Sequence, residues 1–148
     1  MNDGPARRAP VLMIGLDAGD PELIERWTGD GTLPVLASLR AQGVFGRLDS
    51  SAAYLAGSPW PTMYTGRDVS SHGLYHDFQW RHEDMSFAAP DEHWMNLTPF
   101  WRHLQEEVDV VACDIPFTPT CSPFRGLEIS GWASHDKLTP ISSHPASL

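Results

Sequence analysis

Cysteine is scarce: the 148 residues hold two, Cys113 and Cys121. Two are too few for a disulfide framework, and their spacing fits no CxxC metal or redox pair. Cys113 lies inside the apolar run Val110 to Ile115 and is expected to be a buried small hydrophobe. Positive charge is scarce as well. Ten Lys and Arg stand against nineteen Asp and Glu, a net charge of −9. That is the wrong sign for affinity gained by neutralising a nucleic-acid backbone, and anionic membrane surfaces are poor partners for the same reason. An acidic small molecule would need a local cation, which a metal site could supply. Long hydrophobic runs are missing too. Val11 to Leu16 stops at Asp17, far short of a bilayer span. It is also too short for a signal-peptide core, although Arg7 and Arg8 precede it, so a cytoplasmic location is expected. The turn Gly15-Leu16-Asp17-Ala18-Gly19 lacks GxGxxG, which counts against an ordinary dinucleotide-binding domain.

What is present belongs to a globular protein: 41% of residues are hydrophobic and 20% charged, and the length suits one domain. Residues 1–10 read as a flexible leader and residues 11–148 as a single α/β domain. The continuous apolar run Val11 to Leu16 has the pattern of a strand buried on both faces, at the centre of a parallel sheet. Asp20-Pro21 predicts a helix start with Asp20 as N-cap, and Leu23, Ile24 and Trp27 fall on one face. Pro34, the spacing of Val35, Leu36 and Leu39, and Gly43 just past the end predict a second helix. Val44 to Leu48 reads as a short strand. From Ser50 to Gly73 small and hydroxylated residues dominate, predicting a loop that leads into a short helix. Tyr75 to Pro90 has no clear period and reads as loop or short hairpin. Thr98-Pro99 opens a third helix with Phe100, Trp101 and Leu104 on its apolar face. Val108 to Asp114 reads as another buried strand, and Leu127 to Ser130 as one more, short and suited to an edge. Strands alternating with helices predict a mostly parallel sheet flanked by helices. Ligands in such folds bind beyond the carboxyl ends of the strands, where Asp17 and Asp114 sit. The tail from Thr139 to Leu148 looks cut rather than finished.

Asp17 stands between Gly15 and Gly19 in a tight turn where a ligand can approach closely. Its carboxylate is a candidate metal ligand; the plainer alternative is a turn aspartate that caps the next segment. The distant segment Ser58 to Gly66, followed by Ser70 to Gly73, places a hydroxyl just before a proline-initiated helix, where exposed amides and the helix dipole favour an anion. His72 and His76 are four apart, a zinc spacing on a helix, but Gly73 between them weakens a helix there, and both are read as loop histidines. His135 and Asp136 offer an imidazole and a carboxylate that either line a pocket mouth or form a turn. Trp80, Trp94, Trp101 and Trp132 could stack on a base or lipid group; packing is the commoner fate, and it is preferred for Trp101.

Taken in order, Leu16-Asp17-Ala18-Gly19, Leu33-Pro34 through Gly43, Trp60 through Gly66, and His72-Gly73 resemble the type I phosphodiesterase and nucleotide pyrophosphatase branch of the alkaline phosphatase superfamily. Several short motifs agreeing in order are far more specific than any one of them. The resemblance implies the N-terminal part of an alkaline phosphatase-like fold. It also implies hydrolysis of phosphomonoesters, phosphodiesters or related sulfate or phosphonate esters at a site with two divalent metals, usually zinc, and the acidic charge balance points to a phosphate-ester small molecule rather than a nucleic-acid polymer. On it Asp17 corresponds to the first metal ligand, and Trp60 and Thr62 are candidate substrate contacts, although Thr62, inside the helix, also suits a hydroxyl bonded to the preceding turn. The family's nucleophilic Ser or Thr falls on Ala56, which has no attacking atom. Either the loop shifts and Ser58 takes the role, or the chain represents a branch in which water attacks or catalysis is lost. A two-metal site needs about six or more protein ligands. The family's Asp-x-x-x-His and Asp-His motifs do not occur here with suitable spacing. The expectation is an N-terminal part of a longer protein, inactive alone, with a non-catalytic anion-binding or interaction module as the alternative.

Overall fold

The computed structural model describes residues 9–53, 55–89, 97–118, 120, 123–131 and 141–146. The readings made for Cys121, Trp94, Trp132, His135 and Asp136 lie outside the described residues. The chain divides into two compact units, Met1–Leu48 and Asp49–Leu148. Among the described residues no helix is long and apolar enough to cross a membrane.

The first unit is a helical hairpin. Helix α1 (Pro21–Gly29) begins as the sequence predicts: Pro21 occupies the first turn, and Asp20 Oδ1 accepts the Glu22 and Leu23 N–H groups at 2.8 and 2.9 Å. Those amides have no partner inside the helix, so the cap satisfies them. Helix α2 (Pro34–Gln42) follows, ended at Gly43. Polar contacts tie the pair: Leu33 N–H donates to the Trp27 carbonyl at 2.9 Å, Arg40 Nη1 to Thr28 Oγ1 at 2.6 Å, and Arg47 grips both Glu25 oxygens at 2.8 Å.

Val11 to Leu16 departs from expectation. The run forms no strand and lies open, Val11 at 94% exposure. A central strand needs ladder partners along both edges and cover on both faces, and among the described residues none pairs with it. Val44 to Leu48 likewise forms no strand; the Phe45 ring instead lies under the Arg40 guanidinium, 3.9 Å from the ring centroid.

The second unit holds the buried core. A 3-10 turn (Ser51–Ala53) precedes α3 (Pro59–Thr65) and α4 (Val69–His72). The hairpin β1 (Gln79–Arg81) and β2 (Ser86–Ala88) pairs Trp80 with Phe87. Asp84 in its turn is held by Arg81 and Ser86, which bring its carboxyl down to about 2. Helix α5 (Phe100–Leu104) buries Trp101 and leaves Phe100 and Leu104 exposed. The second sheet has the order β3 (Val110–Cys113), β4 (Gly126–Ser130), β5 (Ser142–His144).

Here too the fold differs from the mostly parallel sheet expected. β3 and β4 are parallel, β4 and β5 antiparallel, and the hairpin is antiparallel, so the architecture is mixed α/β with small sheets. The segment Leu127 to Ser130, expected at an edge, lies in the middle strand β4. β3 and β5 are the edge strands of this sheet. Strand alternation turns Ala112 into the core, while Val111 (72% exposed) and Cys113 face outward. The expected burial of Cys113 therefore does not hold. Tyr64, Trp101, Ala112 and Phe124 form the core, with Tyr64 and Trp101 edge to face at 5.7 Å between centroids. This cluster fixes α3, the helix that follows Ser58.

Candidate functional site

The serine segment is built from local hydrogen bonds. Leu55 N–H donates to the Ser51 carbonyl at 2.9 Å, and Ser58 N–H to the Leu55 carbonyl at 2.9 Å. Ser58 is fully buried, and its hydroxyl donates to the same Leu55 carbonyl at 2.7 Å. A carbonyl can only accept, so the single hydroxyl hydrogen of Ser58 is committed there. In the hydrogen bond between the Ser51 and Ser58 hydroxyls, Ser51 is then the donor. Ala56 beside them is exposed.

Ser58 is the N-cap of α3, yet its side chain caps no amide. Pro59 and Pro61 carry no N–H, and Thr62 N–H donates to the Ser58 carbonyl at 3.0 Å. Within the first three helical positions Trp60 supplies the one N–H, so the cradle of exposed amides expected at this helix start is reduced to one donor. Trp60 is half-buried against the core.

Thr62, half-buried, bonds to His72 Nε2 at 2.9 Å; it is Thr65 that bonds back to the preceding turn, donating to the Pro61 carbonyl at 2.6 Å. Helix α3 ends on Gly66 at φ +65, a left-handed conformation that glycine adopts without steric cost. Asp68 caps α4, accepting from Ser71 N–H at 2.9 Å and the Ser70 hydroxyl at 2.6 Å, and these bonds hold its carboxyl below the usual range.

His72 is 5% exposed, and both ring nitrogens are engaged: Leu74 N–H donates to Nδ1 at 3.1 Å. His76 is exposed, and its Nδ1 accepts Phe78 N–H at 3.1 Å. Buried Gln79 organises the turn between them. Its Oε1 accepts Tyr75 and His76 N–H at 2.6 and 3.2 Å, and its Nε2 donates to the Gly73 carbonyl at 3.0 Å. This turn rests on the serine segment, where Gly57 N–H donates to the Tyr75 carbonyl at 3.1 Å. The sequence singled out neither Ser51 nor Gln79; one hydroxyl in a serine-rich stretch and one amide in an aperiodic stretch carry no pattern.

The approach at Gly57 leaves no room for a side chain: a Cβ there would lie 2.9 Å from both the N and Cα of His76. Gly57→Ala is therefore expected to push the 75–76 backbone away and cost about 1–3 kcal/mol, read as a lower urea midpoint. A midpoint equal to wild type would mean that this approach does not exist in solution.

Asp17 belongs to the first unit, and Ser58, Trp60 and Thr62 to the second. Asp17 is exposed in a turn whose next residue, Ala18, has φ +51. Asp114 follows β3 at φ +53, its N–H donating to the Ile129 carbonyl at 2.7 Å. Among the described residues no group of three or more His, Cys, Asp or Glu is placed to hold a metal ion. They do not by themselves complete a two-metal ligand set.

No curated protein and no solved structure matches the chain. A family profile does: type I phosphodiesterase / nucleotide pyrophosphatase matches residues 11–139, a span that takes in the Asp17 turn, the serine segment, α3 and the His72-Gly73 turn. With most of its length inside that match, the chain belongs to the type I phosphodiesterase / nucleotide pyrophosphatase family.

Proposed function

We propose that the chain contributes to a metal-dependent hydrolase of phosphodiesters, phosphomonoesters or nucleotide pyrophosphates, and that residues 11–148 form an incomplete alkaline phosphatase-like domain inactive alone. The observation that carries this reading is the family match over residues 11–139, with the Asp17 turn and the serine segment in the family's order. In it Asp17 is one ligand of a divalent pair, zinc by preference, which when bound would supply Lewis-acid stabilisation of a phosphoryl oxygen. Ser58 is the candidate nucleophile, and Trp60 and Thr62 border the substrate. Ser58 Oγ can attack only after its hydroxyl leaves the Leu55 carbonyl and reaches the surface. The further ligands would come from outside the described residues.

Calorimetry with zinc and inorganic phosphate tests the reading. Phosphate affinity is expected to depend on metal, and Asp17→Ala to abolish the metal-dependent part. Turnover of a chromogenic phosphodiester by the chain alone at enzyme-like rates would refute the incomplete ligand set. Ala56 at the usual nucleophile position and the burial of Ser58 favour a second reading, a non-catalytic anion-binding module. Phosphate affinity that needs no metal and survives Asp17→Ala would select it.

A further inference from the structure

We propose that His72, through its neutral imidazole, is the positioning residue of the serine segment, and that protonation of its ring releases that segment. A backbone N–H cannot accept, so the Leu74 N–H bond at 3.1 Å requires Nδ1 to be bare. The neutral ring then carries its hydrogen on Nε2, which donates to Thr62 Oγ1 at 2.9 Å. One ring thus joins the middle of α3 to the start of the 73–79 turn. Three residues after His72 that turn reaches Tyr75, whose carbonyl accepts Gly57 N–H at 3.1 Å, next to Ser58. The segment is therefore held by α3 at one end and by the turn at Gly57, and His72 joins the two.

An imidazolium cannot serve here. With hydrogens on both nitrogens it would present a donor to the Leu74 donor, inside a site where the residue is 5% exposed. Burial holds the pKa of His72 below its usual value, opposed by the nearby Asp68 carboxylate. The element packed against the ring, α3, has Tyr64 as its one ionisable side chain, and that hydroxyl donates to the Phe117 carbonyl at 3.1 Å. The turn carries Tyr75, His76 and Asp77. The folded pKa is lowered, so the unfolded segment binds the proton more readily. The ordering is complete above the usual histidine value of 6.5 and is lost as pH falls below it toward the folded value.

The hydrolase reading gives this ordering its catalytic meaning; the geometry does not depend on it. The test is a nuclear magnetic resonance titration of the chain, following the His72 ring nitrogens and exchange of the Gly57 amide, corrected for intrinsic exchange. The wild type is expected to show a bare Nδ1. Gly57 protection should then fall by up to about tenfold per pH unit as His72 protonates. His72→Asn, which keeps an acceptor for Leu74 N–H and cannot titrate, should retain protection and lose its pH dependence. A protonated Nδ1 at neutral pH, Gly57 protection indifferent to His72 titration, or the same pH dependence in His72→Asn would each overturn the proposal. The wild-type titration stands alone if the variant does not fold. Loss of metal-dependent phosphate affinity with the coupled titration intact would instead remove the hydrolase reading and leave this one.

Discussion

Gly126→Ala is expected to cost the second unit about 3 kcal/mol, one of the two largest effects a single substitution should have here. Gly126 opens β4 opposite Val110 in the parallel ladder. A Cβ at this position would lie 1.9 Å from the Val110 carbonyl oxygen, and the residue sits at φ +128, where side chains are strained whatever the space. Neither obstacle can be relieved by rotating a side chain, because the obstructing atoms are backbone. The pairing must open at its first rung, and with it the register that places Ala112 beside Glu128 and Cys113 beside Ile129. Urea unfolding followed by far-ultraviolet circular dichroism checks this as a lowered midpoint. A variant within about 0.5 kcal/mol of wild type, the range of ordinary surface changes, would show that β3 and β4 do not meet in this register.

The sequence and the structure agree where the physics is local. Asp20, Pro21, Pro34 and Gly43 act through caps and fixed φ angles within one turn, and α1 begins at Pro21 while α2 begins at Pro34 and ends at Gly43. The Pro59 start of α3 and the packing of Trp101 follow from equally local or composition-driven forces. Strands are different, because their stability lies in partners distant in the chain. Val11 to Leu16 has the composition of a buried strand and no ladder among the described residues, so composition alone misplaced it. In β4 the alternation itself misleads. Leu127 and Ile129 would be assigned to the core, yet Glu128 and Ser130 are the buried pair, while the face shared by Val111, Cys113, Leu127 and Ile129 is the less covered one.

The site divides in the same way. Motif order identified the serine segment and the His72-Gly73 turn, because spacing is visible along the chain. The hydroxyl pairing of Ser51 with Ser58 and the clamp of Gln79 on Tyr75 and His76 depend on which way side chains rotate once the loop has closed. Ser58 shows the limit. As a letter in a motif it is an attacking hydroxyl; in the folded segment its hydrogen is committed to Leu55 and its oxygen is covered.

Glu128→Ala should be at least as damaging as the glycine change, for a reason of charge rather than space. Glu128 is 2% exposed, and its carboxylate accepts Trp101 Nε1 at 3.1 Å and Arg102 Nε and Nη2 at 3.3 and 3.4 Å. Truncation removes the shared acceptor from one buried indole and one mostly buried guanidinium, and breaking such a pair from one side typically costs about 3–5 kcal/mol. The pair itself is not a large source of stability, because both charges lost their hydration on burial. The double replacement Arg102→Met with Glu128→Leu should therefore recover most of the loss, whereas Glu128→Gln, which keeps an acceptor for Trp101 but not the charge for Arg102, should fall between. What the pair does provide is a fixed Trp101. That ring meets Tyr64 edge to face, and the Tyr64 hydroxyl holds the Phe117 carbonyl at 3.1 Å, so α3 is steadied from the sheet side by the same carboxylate. Glu128→Ala is accordingly expected to alter the near-ultraviolet signal of the tryptophans before global unfolding, as well as lowering the urea midpoint. A loss under about 1 kcal/mol, the usual scale of an exposed ion pair, with an unchanged aromatic signal would mean that α3 is anchored without Glu128.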